Sequence, residues 1–340
     1  MTRSITGLTR IAQAVPAQVF DAYWRFATER QNIFFRRHDG VPANSWTEDP
    51  ILKTYKFTNA FRASDRVSQY LIKNVIYSGD QTSEEVFFRT MLFKFFNRIE
   101  TWELLYRNLG EITYADYSFM RYDEILTKAK AAGNRIYSGA YIMPSGSRPF
   151  GSHMKHRNNL KLLQVMMGDE LPARLKNAES MKKAFELIRA YPSIGDFLAY
   201  QYVIDLNYSN LTDFTEMEFV IPGPGCISGL RKCFSSFEGF SEAYLIRYMT
   251  DSQDEHLRRL GLNFKSLWGR RLQLIDCQNL FCEVDKYARV AFPEISTKSN
   301  RTRIKQQFRP NSEPIDYWFP PKWGVNEKIS SRLEPRIGKG

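Results

Sequence analysis

Along most of this chain apolar residues recur three and four positions apart, and a glycine or proline ends each run before strand-like alternation can develop. In "AVPAQVFDAYWRFATERQNIFFRR", Val19, Tyr23, Phe26 and Ala27 fall on one helical face and the basic residues on another. A second helix is predicted through "SWTEDPILKTYKFTNAFRASDRVSQYLIKNVIYSG". Its cap signal is Thr47 before Glu48, Pro50 lies in the first turn, and Phe61, Val67, Tyr70 and Leu71 carry the period. "SEEVFFRTMLFKFFNRIETWELLYRNLG" reads as one helix from an N-cap at Ser83 to Gly110, and "SFMRYDEILTKAKAAG" as another ending at Gly133. A long helical stretch, "HRNNLKLLQVMMGDELPARLKNAESMKKAFELIRA", follows the Gly/Pro/Ser-rich loop "MPSGSRPFGSHMKHRN". There is no internal repeat, and the expected class is mainly α.

The chain has 340 residues, 43% of them hydrophobic, which is enough for one large domain or two lobes. A formal charge of +11 points to a polyanionic partner, most simply nucleic acid, with an anionic membrane surface or plain solubility as alternatives. Residues 298–340 hold ten basic and four acidic side chains, so 10 − 4 = +6 of that excess lies there. We therefore divide the chain into a helical domain over 1–296 and a basic, Pro-containing tail over 297–340, expected to be extended and partly disordered. No apolar run approaches membrane-spanning length and the N-terminus lacks a signal-peptide core, so the expected location is cytoplasmic, with no membrane partner. Cys226, Cys233, Cys277 and Cys282 form no C-x-x-C pair and read as buried free thiols. His153 and His156 stand three apart without an accompanying acid or thiol, so neither a metal nor a cofactor is expected.

The sharpest local feature is "YPSIGDFLA". Pro192 blocks continuation of the preceding helix, Gly195 permits an unusual backbone, and Phe197, Leu198 and Ala199 restart a helix. Amides at the start of that second helix are unpaired and suited to a phosphate, while Ala199 lets the two helices approach closely.

Pro192, Ile194, Gly195 and Ala199 resemble the hairpin of the helix-hairpin-helix DNA glycosylase superfamily, with Ser193 in place of the first glycine. A closer resemblance runs through "SWTEDPILKTYKFTNAFRASDRVSQYLI", "FLAYQYVIDLNYS", "IPGPGCISGLRK" and "DCQNLFCEVDKYARV" in order. Together these are similar to the alpha-glutamyl/putrescinyl-thymine pyrophosphorylase family, which also appears as the helical domain of 5-hydroxymethyluracil DNA kinases. The resemblance implies a two-lobed glycosylase-like fold acting on hypermodified pyrimidines in DNA. Some relatives resemble phage-defence glycosylases, and others transferases.

Within that resemblance, a carboxylate must face the sugar to stabilise its developing cation. "TDFTEMEF", past the hairpin, offers Asp213, Glu216 and Glu218, and the glycines that follow favour the later two. Asp205, one helical repeat from Gln201 and Leu198, faces a packing surface and is either an internal cap or a third catalytic candidate. Phe197 stands where bifunctional glycosylases carry a Schiff-base lysine, so a glycosylase here would be monofunctional. Ser193, Gly195, Gly223, Gly225 and Arg66 are the expected DNA contacts. Asn59, Arg62 and Asp65 would line the base pocket with Gln201, and Gln278, Asn279, Glu283 and Lys286 would meet the modified substituent. A surface salt-bridge ladder and an ion-pair network compete as explanations of these last two groups.

The leading expectation is a DNA N-glycosylase that flips out a modified pyrimidine and needs no cofactor. One alternative is transfer, in which an amino acid or polyamine replaces phosphate or pyrophosphate on a 5-hydroxymethyl pyrimidine. No Gly-x-x-x-x-Gly-Lys loop occurs in these residues, so activation would need a separate protein. The other alternative is a non-catalytic reader of modified DNA.

Overall fold

Helix follows helix through residues 14–237, 239–295, 302–310 and 315–329, the part of the chain that the computed structural model describes. In chain order the helices are α1 (Val19–His38), α2 (Pro50–Thr54), α3 (Arg66–Tyr70), α4 (Ser83–Phe96), α5 (Ile99–Leu109), α6 (Phe119–Ala131), α7 (Ser147–Phe150) and α8 (Lys155–Gly168). There follow α9 (Leu171–Lys176), α10 (Met181–Arg189), α11 (Asp196–Leu206), α12 (Pro224–Cys233), α13 (Glu242–Asp251), α14 (Gln253–Arg259) and α15 (Leu274–Ala291). The sheet among the described residues is a short antiparallel pair, β1 (Val15–Pro16) with β2 (Phe234–Ser236). The mainly helical expectation holds, and no described helix is long and apolar enough to cross a membrane.

Several predicted helices are broken where a side chain captures backbone groups. Over 46–80 the cap is Asp49, whose Oδ1 accepts from the amides of Ile51 (2.8 Å) and Leu52 (3.1 Å), while Thr47 Oγ1 accepts from the Asp49 amide. The helix then ends at Thr54, because Arg30 draws the carbonyls of Phe57 and Thr58 to its guanidinium at 3.3 and 2.9 Å. Helix resumes only at Arg66 and passes into a π-helical turn over Leu71–Ile76. The 83–110 run splits at Asn97, which is left-handed (φ 49°), and the next long run splits at Glu170 (φ 52°) and again at Ser180, whose hydroxyl caps α10.

The described residues fall into two compact units. The first comprises Met1–Ala60, Pro222–Lys265 and Asp276–Ser312. Its core is the face of α1 bearing Phe20, Tyr23 and Trp24 packed with α12 and α15; the Tyr23 ring lies tilted against Phe281 at 4.7 Å and its hydroxyl donates to the Cys277 carbonyl. Gly229 on α12 permits this contact, because a Cβ there would stand 2.1 Å from the Phe281 carbonyl oxygen. Asp285 is buried beneath Lys232 (3.0 Å), Arg289 (2.5 Å) and the Ser228 hydroxyl (2.6 Å). All four cysteines belong to this unit as free thiols, and burial pushes Cys277 and Cys282 up to about 12.

The second unit comprises Phe61–Ile221, Ser266–Ile275 and Glu313–Gly340. Its central element is α4, in which every side chain from Val86 to Phe96 is buried, as expected of a helix that is apolar all round. Helices α8, α9 and α11 and the π-helical turn pack about it. Arg89 on α4 donates to the Val75 carbonyl (3.0 Å) and to the Ile76 carbonyl (3.4 Å), which ends the π-helical turn. The described part of the predicted tail differs from a free appendage. Tyr317, Phe319 and Val325 are buried in this unit, and Trp323 stacks on Phe319, so a few aromatic residues outweigh a polar average composition. Its stretches 297–301, 311–314 and 330–340 lie outside the described residues.

Gly229→Ala is expected to lower the stability of the protein by about 3 kcal/mol, since a backbone oxygen cannot move as a flexible side chain would. Gly225→Ala, whose nearest neighbour is Cys282 Sγ at 3.2 Å, should cost clearly less. Urea denaturation of the two variants against the wild type measures the difference.

Candidate functional site

The hairpin between α10 and α11 lies within the second unit and at the surface, with Pro192, Gly195 and Asp196 exposed. Tyr191 accepts from the Ile194 amide at 3.3 Å, closing a turn with proline second and Ser193 third. Ser193 adopts φ 67°, the left-handed conformation that a turn of this pattern ordinarily reserves for glycine. Gly195 is not the strained residue that the sequence suggested. It is the extended N-cap of α11 (φ −88°), and a Cβ there would meet nothing within 4 Å. Hydrogen bonding in α11 starts with the Ala199 amide donating to Gly195 O at 2.9 Å, which leaves the Asp196, Phe197 and Leu198 amides without a partner in the helix. Asp196 pairs with Arg189 across the hairpin.

Behind the hairpin, α11 turns Gln201 and Asp205 toward Arg62 and toward Lys94 of α4. Arg62 Nη1 donates to Asp205 Oδ1 at 2.7 Å and to the Tyr208 hydroxyl at 2.9 Å, and Arg62 Nε donates to Gln201 Oε1 at 3.0 Å. Lys94 Nζ lies 3.1 Å from Asp205 Oδ2 and donates to Asn97 Oδ1 at 2.8 Å. Arg62, Lys94 and Asp205 are 3%, 3% and 0% exposed, so two cations share one carboxylate with almost no water. Burial opposes ionisation of Asp205, but attraction to Arg62 and then to Lys94 outweighs it and holds the carboxyl below its usual range. Burial also pulls Arg62 down, and Asp205 more than restores it; for Lys94 burial wins and its pKa is lowered. Half-buried Tyr141 covers the cluster, with Lys94 Nζ 4.9 Å and the Arg62 guanidinium carbon 5.7 Å from its ring centre. The ring also stacks parallel to Phe197 in the first turn of α11, at 5.9 Å.

The structure thus joins Arg62 and Gln201, proposed from sequence for the base pocket, with Asp205, proposed as a catalytic candidate, and adds Lys94, Tyr141 and Tyr208. Lys94 had a signal, a lone charge inside "MLFKFF", where an unpaired lysine could not be buried. Of the remaining acids, Asp213 is exposed and lies 3.4 Å from Lys322, Glu216 is buried and Glu218 is exposed. Glu216 pairs with Arg270 at 3.1 Å, and that guanidinium lies 3.7 Å over Trp323; Glu218 Oε1 accepts from the Met181 amide at 3.1 Å where α10 begins. Asp65 precedes α3 and Arg66 is exposed at its start.

In the first unit Asn59 Oδ1 accepts from Arg30 at 3.1 Å, and Glu283 accepts from the Thr58 amide (3.0 Å) and Lys286 (2.7 Å). Gln278 is buried beside Cys282, and Asn279 is half-buried. Gly225 faces Cys282 and Gly223 is the buried, extended N-cap of α12, so packing within the unit explains these glycines, not close approach to a ligand. Among the described residues no group of His, Cys, Asp and Glu has the arrangement of a metal site.

A mainly helical chain with an outward-facing hairpin braced by buried charge is the class that the geometry defines. Residues 17–297 match the family described as the helical domain of 5-hmdU DNA kinase, and the chain belongs to that family. A 5-hmdU DNA kinase of Bacillus phage SP10 is 28% identical over 286 residues, which is 79% of this chain and 45% of the phage protein. The chain therefore spans less than half the length of that curated relative. No solved structure matches it. These matches correct the leading expectation from sequence. The relative is named as a DNA kinase, a phosphate-transferring enzyme, so the assignment as an N-glycosylase, a base-excising hydrolase, is overturned.

Asp205→Asn is expected to destabilise the protein by about 3–5 kcal/mol at pH 7, because it strands two buried cations. Because folding lowers the Asp205 pKa, its stabilising share is present in full above about pH 4 and is lost as pH falls through the depressed folded value. Denaturation of wild type and variant at pH 7 and pH 3 should show the gap narrowing at the lower pH. Ser193→Gly should stabilise by about 1 kcal/mol by relieving the left-handed serine, a gain readable in the same assay.

Proposed function

We propose that this chain acts on DNA in which a pyrimidine carries a 5-hydroxymethyl group or its phosphate ester, and that it takes part in group transfer at that substituent while the glycosidic bond stays intact. The observation that carries the reading is the state of the acids. Asp205 is held ionised between two cations, Glu216 is tied to Arg270 and Glu218 to a backbone amide. None is the free carboxylate that a sugar cation would require, whereas transfer at an exocyclic carbon needs the DNA to be gripped and the modified base presented. In this reading the Asp196, Phe197 and Leu198 amides take a backbone phosphate, and the buried cluster fixes the helix that bears them. Membership of a DNA-kinase helical-domain family supports the same class of substrate.

The preferred transfer is displacement of phosphate or pyrophosphate from the activated 5-hydroxymethyl group by the amine of an amino acid or polyamine. The test supplies duplexes containing 5-hydroxymethyluracil or its phosphate ester, with and without a nucleoside triphosphate, an amino acid or a diamine, and analyses the digested nucleosides by mass spectrometry. A new 5-substituted nucleoside and no abasic sites is the expected result. Release of a free base, or unchanged nucleosides under every condition, would overturn the proposal.

A further inference from the structure

Away from the hairpin, the second unit carries an open pocket of about 290 Å³ between the end of α6 and the start of α8. Lys130, Arg135 and Lys155 line it with Asn134 and Ser138, and no carboxylate is among its lining residues. Lys130 and Arg135 are exposed, and Arg135 is steadied by donating from Nε to the Tyr137 carbonyl at 2.8 Å. Lys155 Nζ sits 4.0 Å over the Tyr137 ring, so its charge is held at the pocket instead of being spread over the rotamers of a free side chain. Ser138 Oγ accepts from the Ala140 amide, which leaves its hydroxyl hydrogen free to donate.

Two further features point to an anion. The pocket lies at the N-terminus of the 14-residue helix α8, where the first bonded amide is that of Arg157, so those of Lys155 and His156 have no helical partner. His156 also lines the pocket; it is 1% exposed, and its Nδ1 is buried with no partner. The other ring nitrogen is 3.0 Å from Asp123 Oδ1 and 3.1 Å from Thr127 Oγ1, and Asp123 lies behind the ring, where it also accepts from Arg157. Burial lowers the His156 pKa against the pull of Asp123, and an anion at Nδ1 would add to that pull and give the nitrogen a partner.

We propose that this pocket is an oxyanion site that takes a phosphate group, supplied either by a DNA backbone or by a free phosphate or pyrophosphate ion. Three cations, a free hydroxyl, helix-start amides and a buried ring nitrogen converge there, and nothing in the group-transfer reading depends on them.

The test uses the full chain and the double variant Lys130→Ala/Arg135→Ala, both positions being exposed. In one arm inorganic phosphate and pyrophosphate are titrated at constant ionic strength, followed by thermal shift and calorimetry. In the other arm duplex DNA affinity is measured against salt concentration. If the source is a free ion, phosphate or pyrophosphate raises the melting temperature of the wild type, and the variant binds it at least tenfold more weakly. If the source is DNA, the slope of log affinity against log salt falls by about one for each lost phosphate contact. Identical ion response and identical salt slope in wild type and variant would overturn the proposal. Ser138→Ala, which removes only a hydroxyl, serves as second variant should the double substitution disturb the fold.

Discussion

Asp205 lies between Arg62 and Lys94, and much of the second unit follows from that placement. Stripping water from three charges is costly, and only the full set recovers the cost: remove one member and the others remain buried without compensation. The requirement ties together three parts of the chain that local propensity leaves independent, the 3-10 turn at Arg62–Ser64, the apolar helix α4 and the helix α11. It also governs the surface. Tyr141 lies over the two cations and against Phe197, so the charge cluster braces the first turn of the helix, whose amides have no partner within it.

The first unit solves a similar problem with the same chemistry. Asp285 is buried under Lys232 and Arg289, with a serine hydroxyl as a further donor, and its carboxyl too is held below the usual range against the opposing effect of burial. There the adjoining contact is set by the absence of a side chain, since Gly229 brings α12 against the backbone of α15. Each unit thus carries a buried aspartate held by two cations; in the first unit only Lys232 joins a second helix to Asp285, since Arg289 lies one turn along the same helix.

A hairpin that looks like one from a DNA glycosylase did not carry the glycosylase reaction with it. The turn geometry answers to a local need, an abrupt reversal with exposed amides, which any phosphate-gripping protein can use. Reaction type resides in the acids, and here those acids have structural partners. The serine in the third position of the turn, held at φ 67°, shows the turn keeping its shape even where the usual glycine is missing.

Periodicity and punctuation made the helical class legible, along with the start of α11, the ends of α5 and α6 at Gly110 and Gly133, and the reversal after Ala190. These depend on contacts within a few residues, which one stretch of chain contains. The interruption at Thr54, the partners of Asp205, Glu216 and Glu218, and the packing of Tyr317 and Phe319 were not legible, because each depends on groups far away in the chain. Sequence by itself determined that this protein would be helical, basic and turned sharply at Pro192. Only the tertiary structure decided which charges are buried together, since the energy of a desolvated ion pair is set by distance in space and not by spacing along the chain.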